Sequence, residues 1–409
     1  MEHLKGIKVL SFNHFFMGPV GVQFLADLGA DVIAVESPEG AFQRKWGGAN
    51  KRLGGQTMLM LAGNRNKRSL AVDLKHPDGL AIVKKLLATT DVMTENFRPG
   101  VLDRRGLGYD SVRAIKADII YAAASGFGPD GPYVNRPGQD LIIQAMSGLT
   151  EITGTRKQGP RAVGVSAIDH HGASLLAGGI MAALIGRMRT GEGCRIDVSL
   201  LASAIDLQLE SFTSYLNGST PDDVRQPDTV AGWYYGAPYG VYAVRDGHVA
   251  ISLSPLSQVY AAIEVPQAER VPDAENFTRR EEAGAAIERR LAVMTMAEAT
   301  AVLEKAGIWH SRCNSYAEVV ADPQVRHMGA FTSLPGAGGA DITLVNHPIR
   351  YDGKPPAIRM APQPLGAQTA SILEEIGYGP GDISALEQRG VVRTGGPMEA
   401  EAGSGETTL

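Results

Sequence analysis

The carboxylate of Asp140 is the first candidate for chemistry in this sequence. It follows Pro137, Gly138 and Gln139 and precedes the apolar stretch LIIQAM. Aspartate after a Pro-Gly turn is typical of a helix start, where its side chain accepts hydrogen bonds from free backbone N–H groups. A lone charge at the mouth of an apolar run is also a candidate for a chemical role. The residues alone favour the helix cap.

Two basic clusters are the next candidates. One holds Arg65, Lys67 and Arg68 just before a predicted strand, and the other brings Arg98 and Arg104 into the loop after a later strand. Arginine binds phosphate oxygens bidentately and lysine binds them as a point charge. Each cluster alone is typical of a solvated loop. In a parallel sheet both would lie on one rim, which favours a polyanionic small molecule as ligand.

Asp169, His170 and His171 form the remaining titratable group. A neighbouring His and Asp can transfer protons, but successive residues of a helix point to different faces, so a role at a helix end is favoured. Their part in chemistry stays open. Other motifs are missing: no G-x-G-x-x-G follows the first predicted strand, and the chain has no Walker A sequence, no G-x-S-x-G and no cluster with metal-ligand spacing.

The elements that position these residues follow an α/β pattern. Over the first 130 residues, short apolar strands such as GIKVLSF and DIIYAAASG alternate with amphipathic segments such as PDGLAIVKKLLATT. This alternation predicts a parallel sheet with helices on its faces. Ligands of such sheets lie beyond the carboxyl ends of the strands. Those ends carry His14, Asn96 and Phe97.

The pattern changes after residue 205. The polar stretch LNGSTPDDVRQPD is typical of a linker, and PYGVYAVRDGHVAISL predicts a hairpin with Asp246 and Gly247 in its turn. We expect a small-residue helix at 171–190 that packs in the core or in a dimer. The expected organisation is a large domain over 1–205, a linker over 206–228, a smaller α+β domain over 229–325, a return to the large domain over 326–395, and a disordered tail over 396–409.

Composition limits the classes of function. The chain has 409 residues, 44% of them hydrophobic, and a formal net charge of −5. Such a chain can bury a large core, and its charge argues against nucleic acid as a partner. Two cysteines provide no disulfide framework. The first residues lack a signal-peptide core, and no apolar run reaches spanning length, so we expect a cytoplasmic protein without membrane contact.

Seven ordered blocks resemble one known family. They are MGPVGVQFLADLGADVIAVESP, NRNKRSLAVDL, ENFRPGV, RGLGYDSV, SGFGPDGPY, RPGQD and RTGEGCRIDVSL, spread over about residues 5 to 205. Together they resemble the family III coenzyme A transferases, also called the CaiB/BaiF family. The blocks are specific for the family and much less so for the substrate.

The resemblance implies a parallel Rossmann-like large domain, a smaller second domain and an interlocked homodimer. It implies one catalytic aspartate, which matches Asp140, supported by Gly138 and Gln139. Asp140 would attack a donor thioester to give a mixed anhydride, and the CoA thiolate would then form an aspartyl-CoA thioester that passes CoA to an acid. Coenzyme A is then a substrate, and no permanently bound cofactor or metal is expected.

The resemblance also implies the ligand contacts. Positions that contact CoA in the family are matched by a set of six residues: His14, Lys67, Arg68, Asn96, Phe97 and Arg104. The charge argument above adds Arg65 and Arg98. The substrates implied are an acyl-CoA and a carboxylic acid, with succinyl-CoA and short dicarboxylates as the first guess. An aromatic stretch with Tyr234, Tyr235 and Tyr239 is a candidate lining for the acid's pocket.

Two other functions compete. The α-methylacyl-CoA racemases resemble this chain but carry a histidine directly before the matching aspartate; Gln139 stands there and cannot act as a base. Asp169 could still match the second acid of a racemase. The other alternative is a non-catalytic protein that binds CoA esters, in which Asp140 is only a helix cap.

Overall fold

The computed structural model describes residues 2–218, 224–337 and 339–395. The tail predicted over 396–409 lies outside the described residues. The chain forms two compact units. Unit 1 comprises Met1–Ile143, Ser166–Ala204 and His327–Leu409, and unit 2 comprises Gln144–Val165 and Ile205–Arg326.

The strands are β1 (Lys8–Phe12), β2 (Asp31–Glu36), β3 (Arg52–Leu53), β4 (Gln56–Thr57), β5 (Lys67–Val72), β6 (Val92–Glu95), β7 (Ile120–Ser125), β8 (Arg195–Ser199), β9 (Gly240–Val244), β10 (Gly247–Ile251), β11 (His310–Arg312), β12 (Phe331–Pro335), β13 (Asp341–Val345) and β14 (Val392–Arg393).

The helices are α1 (Met17–Asp27), α2 (Phe42–Lys45), α3 (Met58–Gly63), α4 (Pro77–Leu87), α5 (Tyr109–Ile115), α6 (Asp140–Met146), α7 (Leu149–Thr153), α8 (Ala167–Thr190), α9 (Leu200–Asp206), α10 (Leu209–Leu216), α11 (Leu256–Ala262), α12 (Arg280–Leu291), α13 (Met296–Lys305), α14 (Tyr316–Ala321), α15 (Pro323–Met328), α16 (Thr369–Glu375) and α17 (Pro380–Gln388).

Unit 1 is built on a seven-stranded sheet in the order β14-β5-β2-β1-β6-β7-β8. All pairs are parallel except β14 with β5. Strands β1, β2, β5, β6 and β7 are largely apolar and buried, as is typical of a parallel sheet with helices on its faces, whereas β8 at the edge is more exposed. The predicted α/β fold with a large parallel sheet is thereby confirmed. Strand order reverses between β1 and β6, and ligands of open α/β sheets bind where the order reverses.

The small-residue helix is α8, which begins at Ala167, four residues before the predicted start. Glycines let it approach α1 closely: a β-carbon at Gly21 would lie 3.0 Å from the carbonyl oxygen of Ala173, and one at Gly172 would lie 2.8 Å from the Met17 side chain. By length and composition alone α8 could also cross a membrane. Its contact with α1 shows instead that one face belongs to the core of unit 1.

Unit 2 contains an antiparallel sheet in the order β11-β10-β9. The predicted hairpin is present, because Val244 pairs with Gly247 and the loop between them is Arg245 and Asp246. Helices α11, α12 and α13 supply the apolar side chains that cover the sheet, and Tyr242 and Val249 of the hairpin are fully buried among them.

The structure departs from the predicted boundaries in two places. The expected linker 206–228 contains helix α10, which lies within unit 2. The segment Gln144–Val165, expected in the large domain, also belongs to unit 2. Polar and Pro-rich composition at 217–228 masked the amphipathic α10 before it, and the apolar run in α6 and α7 carried no sign of a domain change.

Candidate active site

Asp140 caps a helix that begins further along the chain. It is the first residue of α6, and its Oδ2 accepts hydrogen bonds from the backbone N–H groups of Ile168 (2.9 Å) and Asp169 (3.0 Å). Those groups belong to the first turn of α8, where free N–H groups and the positive end of the helix dipole favour a carboxylate. The side chain of Asp140 is therefore a helix cap, as predicted, but the N–H groups that it accepts lie 28 and 29 residues further along the chain.

Asp169 is the second carboxyl group of this pair. Its side chain is partly buried, and among the residues that the structure describes it has no hydrogen-bond or ion-pair partner. Burial raises the pKa of the Asp169 carboxyl group to about 7, and the negative charge of Asp140 contributes to the same rise. A desolvated, unpaired carboxylate with raised basicity is the arrangement that a nucleophile or a proton acceptor needs.

His170 faces the same end of α8. Its ring packs edge-on against Phe16, with 4.9 Å between the ring centroids. Burial lowers the pKa of His170, and the charge of Asp140 only partly opposes this. The ring is therefore neutral at physiological pH and supplies no positive charge to the carboxylate pair.

Gly138 is required by the packing of the loop before α6. A β-carbon there would lie 2.7 Å from the Cα of Gly126 and 3.3 Å from the Phe127 ring. Glycine is thus needed for the loop to pack on the backbone just beyond β7. Gly138 sets where α6 begins, and with it where the Asp140 carboxylate lies.

We expect Gly138→Ala to displace the start of α6. The forced shift should lower the free energy of unfolding by about 1–3 kcal/mol and turnover by on the order of 10²-fold, because small misplacements of reacting groups have such effects. Denaturant melts and acyl transfer rates provide the measurement. Gly186→Ala in α8 is the matched control, since a β-carbon there meets nothing within 4 Å. Equal behaviour of the two variants would contradict this role for Gly138.

Three predicted CoA contacts come together where the strand order reverses. The N–H of His14 donates to Asn96 Oδ1 (2.8 Å), and Asn96 Nδ2 donates to the carbonyl oxygen of His14 (2.7 Å). The rings of His14 and Phe97 are 5.0 Å apart. Burial lowers the pKa of His14 to about 4, so its ring is neutral. This edge of the sheet can therefore hold a polar or aromatic group by hydrogen bonding and stacking.

Arg98 and Arg104 lie on the loop that follows. Both side chains are exposed, and in the described ranges neither has an ion-pair partner. The loop is anchored by Glu95, a buried carboxyl group whose Oε2 accepts the N–H of Phe97 (2.8 Å). Two free guanidinium groups next to the His14, Asn96 and Phe97 cluster can bind phosphate oxygens.

The first basic cluster lies elsewhere, so the prediction that both clusters share one rim is wrong. Strand β5 begins at Lys67, which places Arg65, Lys67 and Arg68 at the amino end of their strand. Acceptors inside unit 1 already engage all three side chains. Arg65 forms a buried ion pair with Asp27 (2.7 Å), and Arg68 pairs with Asp31 (2.7 Å).

Lys67 is the most deeply placed member of the cluster. Its Nζ donates to the carbonyl oxygens of Pro19 and Gly63, both at 2.7 Å, and to Asn64 Oδ1 at 3.2 Å. Burial lowers the pKa of Lys67 to about 7. These bonds join α1 and α3 to β5, which is a structural role.

The predicted tyrosines lie together in unit 2. The rings of Tyr234 and Tyr235 are 4.6 Å apart and those of Tyr235 and Tyr239 4.4 Å apart, and the first two hydroxyl groups each donate to Glu210. The same unit contains a cavity of about 380 Å³ that is lined by residues other than these tyrosines. Its lining is Ser147, Gly148, Glu151, Ile152, Gln208, Ser211, Phe212, Tyr215, Val224, Arg225 and Trp233.

The parallel sheet, the His14, Asn96 and Phe97 cluster at its point of reversed strand order and the carboxylate pair form a candidate enzyme active site. Comparison with known families identifies the class of enzyme: the chain matches "CoA-transferase family III" over residues 4–369. The match covers most of the chain, and the protein therefore belongs to family III of the CoA-transferases. The resemblance found in the sequence blocks is confirmed.

Individual relatives are named as members of the same family or as CoA-transferases. The chain is 33% identical to succinyl-CoA:glutarate CoA-transferase from Mus musculus, over 96% of this chain and 91% of that protein. It is 32% identical to succinate–glutarate CoA-transferase from Agrobacterium fabrum, over 91% and 95% of the two chains. The crystal structure of a CaiB/BaiF family protein from Brucella suis matches with a TM-score of 0.79 and 32% identity, covering 91% of this chain and 99% of that one.

Proposed function

We propose that this CoA-transferase exchanges CoA between short dicarboxylic acids, succinyl-CoA among the donors, through an acylated aspartate that is Asp169 and not Asp140. One observation carries the assignment: Asp140 Oδ2 is held by two N–H groups of α8, whereas the neighbouring Asp169 carboxyl group is unpaired and has a pKa of about 7. A nucleophile needs an oxygen that is free of strong hydrogen bonds, and only Asp169 meets that condition on the described contacts.

The proposed reaction proceeds in balanced steps. An Asp169 oxygen attacks the thioester carbonyl carbon, the C–S bond breaks, and a mixed anhydride and a CoA thiolate result. The thiolate attacks Cγ of Asp169, which releases the donor acid and leaves an aspartyl-CoA thioester. The acceptor carboxylate then attacks Cγ, forming a second anhydride and thiolate. Thiolate attack on the acceptor carbonyl yields the new acyl-CoA and restores the Asp169 carboxylate without net proton uptake.

In this proposal Asp140 positions the nucleophile. Its bonds to Ile168 and Asp169 fix the first turn of α8, and its charge contributes to the raised pKa of Asp169. His14, Asn96 and Phe97 bind CoA at the crevice, and Arg98 and Arg104 bind its phosphates. Arg65, Lys67 and Arg68 are left out of the CoA site because acceptors within unit 1 already hold their side chains.

The choice of substrates is supported by the relatives' names. Proteins from three organisms, named as succinyl-CoA:glutarate, succinate–glutarate and succinyl-CoA–D-citramalate CoA-transferases, match most of this chain. Those names describe dicarboxylic acids on both sides of the reaction. A screen of acyl-CoA donors against a panel of mono- and dicarboxylic acids would test the choice directly.

Trapping tests the mechanism. The enzyme is incubated with succinyl-CoA and no acceptor, quenched with hydroxylamine or borohydride, and digested for mass spectrometry. We expect modification of Asp169 alone. Modification of Asp140 would reinstate the assignment made from the sequence motif, and an unmodified pair would remove the covalent mechanism.

Racemisation remains the second candidate because the Asp169 carboxyl group, with its pKa near 7, is suited to moving an α-proton. Incorporation of deuterium from solvent at the α-carbon of an acyl-CoA, without CoA transfer to an added acid, would favour it. The non-catalytic alternative is set aside, since the family to which the chain belongs is one of enzymes.

A homodimer completes the proposal. Met188 and Ile185 on α8 are 85% and 52% exposed, and Leu141 and Ile142 on α6 are 59% and 53% exposed. Large apolar side chains that are exposed on both helices are typical of surfaces covered by a second chain. We expect light scattering to give twice the chain mass of 43.3 kDa. A mass of one chain at micromolar concentration would contradict the dimer.

A further inference from the structure

The loop between β7 and Asp140 is tightly braced. The Ser125 hydroxyl accepts the N–H of Gly128 (3.0 Å), and the Phe127 ring packs edge-on against Tyr133 with 5.7 Å between centroids. Phe127 also lies against Gly138, two residues before Asp140. Side chains of this loop are therefore held in fixed positions relative to the carboxylate pair.

Arg136 is the cation that this loop presents. Its guanidinium carbon lies 4.0 Å above the Tyr133 ring, and its backbone N–H donates to the Tyr133 carbonyl oxygen (2.8 Å). The side chain is exposed, and no carboxylate among the described residues pairs with it. Stacking on an aromatic face orients a guanidinium group while leaving its N–H donors available in the plane of the group.

The position of Arg136 ties it to the reaction. It stands four residues before Asp140, so the Cα atoms of the two residues are at most about 14 Å apart even in extended chain. A planar, permanently charged group with free donors at that position is suited to bidentate binding of a carboxylate. No ion pair joins Arg136 to a carboxylate of the described residues, which leaves its N–H donors available to a ligand from solution.

We propose that Arg136 binds the distal carboxylate of a short aliphatic dicarboxylic acid, both as free acceptor and as the acyl group of the donor, and so determines specificity. The inference rests on the proposed function, which assigns the reacting carboxylate to Asp169. With one carboxylate at Asp169 and the other on Arg136, dicarboxylic acids are selected over monocarboxylic acids of equal length, because an acid that lacks the second carboxylate leaves the arginine unpaired.

The test is a competition between two acceptors in one reaction. Glutarate and pentanoate compete for CoA from succinyl-CoA, so the donor step cancels in the ratio of their kcat/KM values. We expect Arg136→Met to lower the ratio by on the order of 10²-fold, mainly through KM for glutarate. The ratio for Arg136→Lys should lie between the wild-type ratio and that of Arg136→Met, since lysine keeps the charge but loses the bidentate geometry.

Arg113→Met, an exposed arginine of α5, is the matched control and should leave the ratio unchanged. Melting temperatures of all variants establish that they fold. An unchanged ratio in Arg136→Met, an equal loss for both acids, or a wild-type enzyme without preference for glutarate would each overturn the proposal. Acyl trapping on Asp169 can succeed in all three cases, which separates this failure from failure of the proposed function.

Discussion

Asp169→Asn should abolish CoA transfer, with a loss of at least about 10⁴-fold in kcat, as for removal of a covalent nucleophile elsewhere. Asparagine keeps the shape of the side chain and its backbone N–H bond to Asp140, so CoA binding should stay within a few-fold of wild type. Turnover and CoA affinity, the latter by calorimetry, are the two measurements. Retained turnover would remove Asp169 as nucleophile.

The same variant has a second readout in its stability. A carboxyl group whose pKa is about 7 in the folded chain and about 4 in the unfolded chain binds more protons when folded, so its contribution to the free energy of unfolding falls as pH rises from about 4 to 7. Asp169→Asn lacks this titration. We expect it to melt at a higher temperature than wild type at pH 8, with a much smaller difference at pH 4.5. If Asp169 had a purely structural role, Asp169→Asn would instead melt at a lower temperature than wild type at pH 8.

Asp140→Asn should shift the pH dependence of the reaction. In wild type, kcat/KM should rise with pH through about 7 as Asp169 loses its proton. Removal of the neighbouring negative charge lowers the pKa of Asp169, so the rise should occur at lower pH. The pKa should remain above the ordinary value for aspartate because burial is its larger cause.

Asp140→Ala provides the contrast to Asp140→Asn. The amide oxygen of asparagine can still accept the N–H groups of Ile168 and Asp169, whereas alanine leaves them unpaired. We expect alanine to cost about 1–2 kcal/mol of stability as the loss of a helix cap and on the order of 10²-fold in turnover through misplacement of Asp169. Complete loss of acyl trapping in Asp140→Asn would instead identify Asp140 as the nucleophile.

Local patterns predicted the sheet and one part of the candidate site. Apolar strands that alternate with amphipathic helices are a short-range signal, and His14, Asn96 and Phe97 follow their strands directly, so their meeting at the sheet edge could be predicted. The first basic cluster could not be placed correctly, because the partners of Arg65 and Arg68 lie 37 to 38 residues earlier in the chain, as Asp27 and Asp31.

The pairing of Asp140 with Asp169 could not be predicted from sequence patterns for a related reason. Asp140 and Asp169 are separated by Gln144–Val165, which folds into unit 2, and no periodicity links residues across such a segment. The available signal was weak: an unpaired Asp in the first turn of a long helix, visible only once the helix is known to begin at Ala167. The sequence block RPGQD points to Asp140, the residue that caps α8, and not to Asp169.

The two hydrogen bonds of Asp140 also have a topological consequence. The chain leaves unit 1 after Ile143 and re-enters it at Ser166, so these bonds fasten the exit of the excursion to its re-entry. A tethered loop tolerates changes in its length at little cost in closure entropy. We therefore expect changes in the length of the segment 144–165 that keep its packing within unit 2 to have little effect on the distance between the two carboxyl groups.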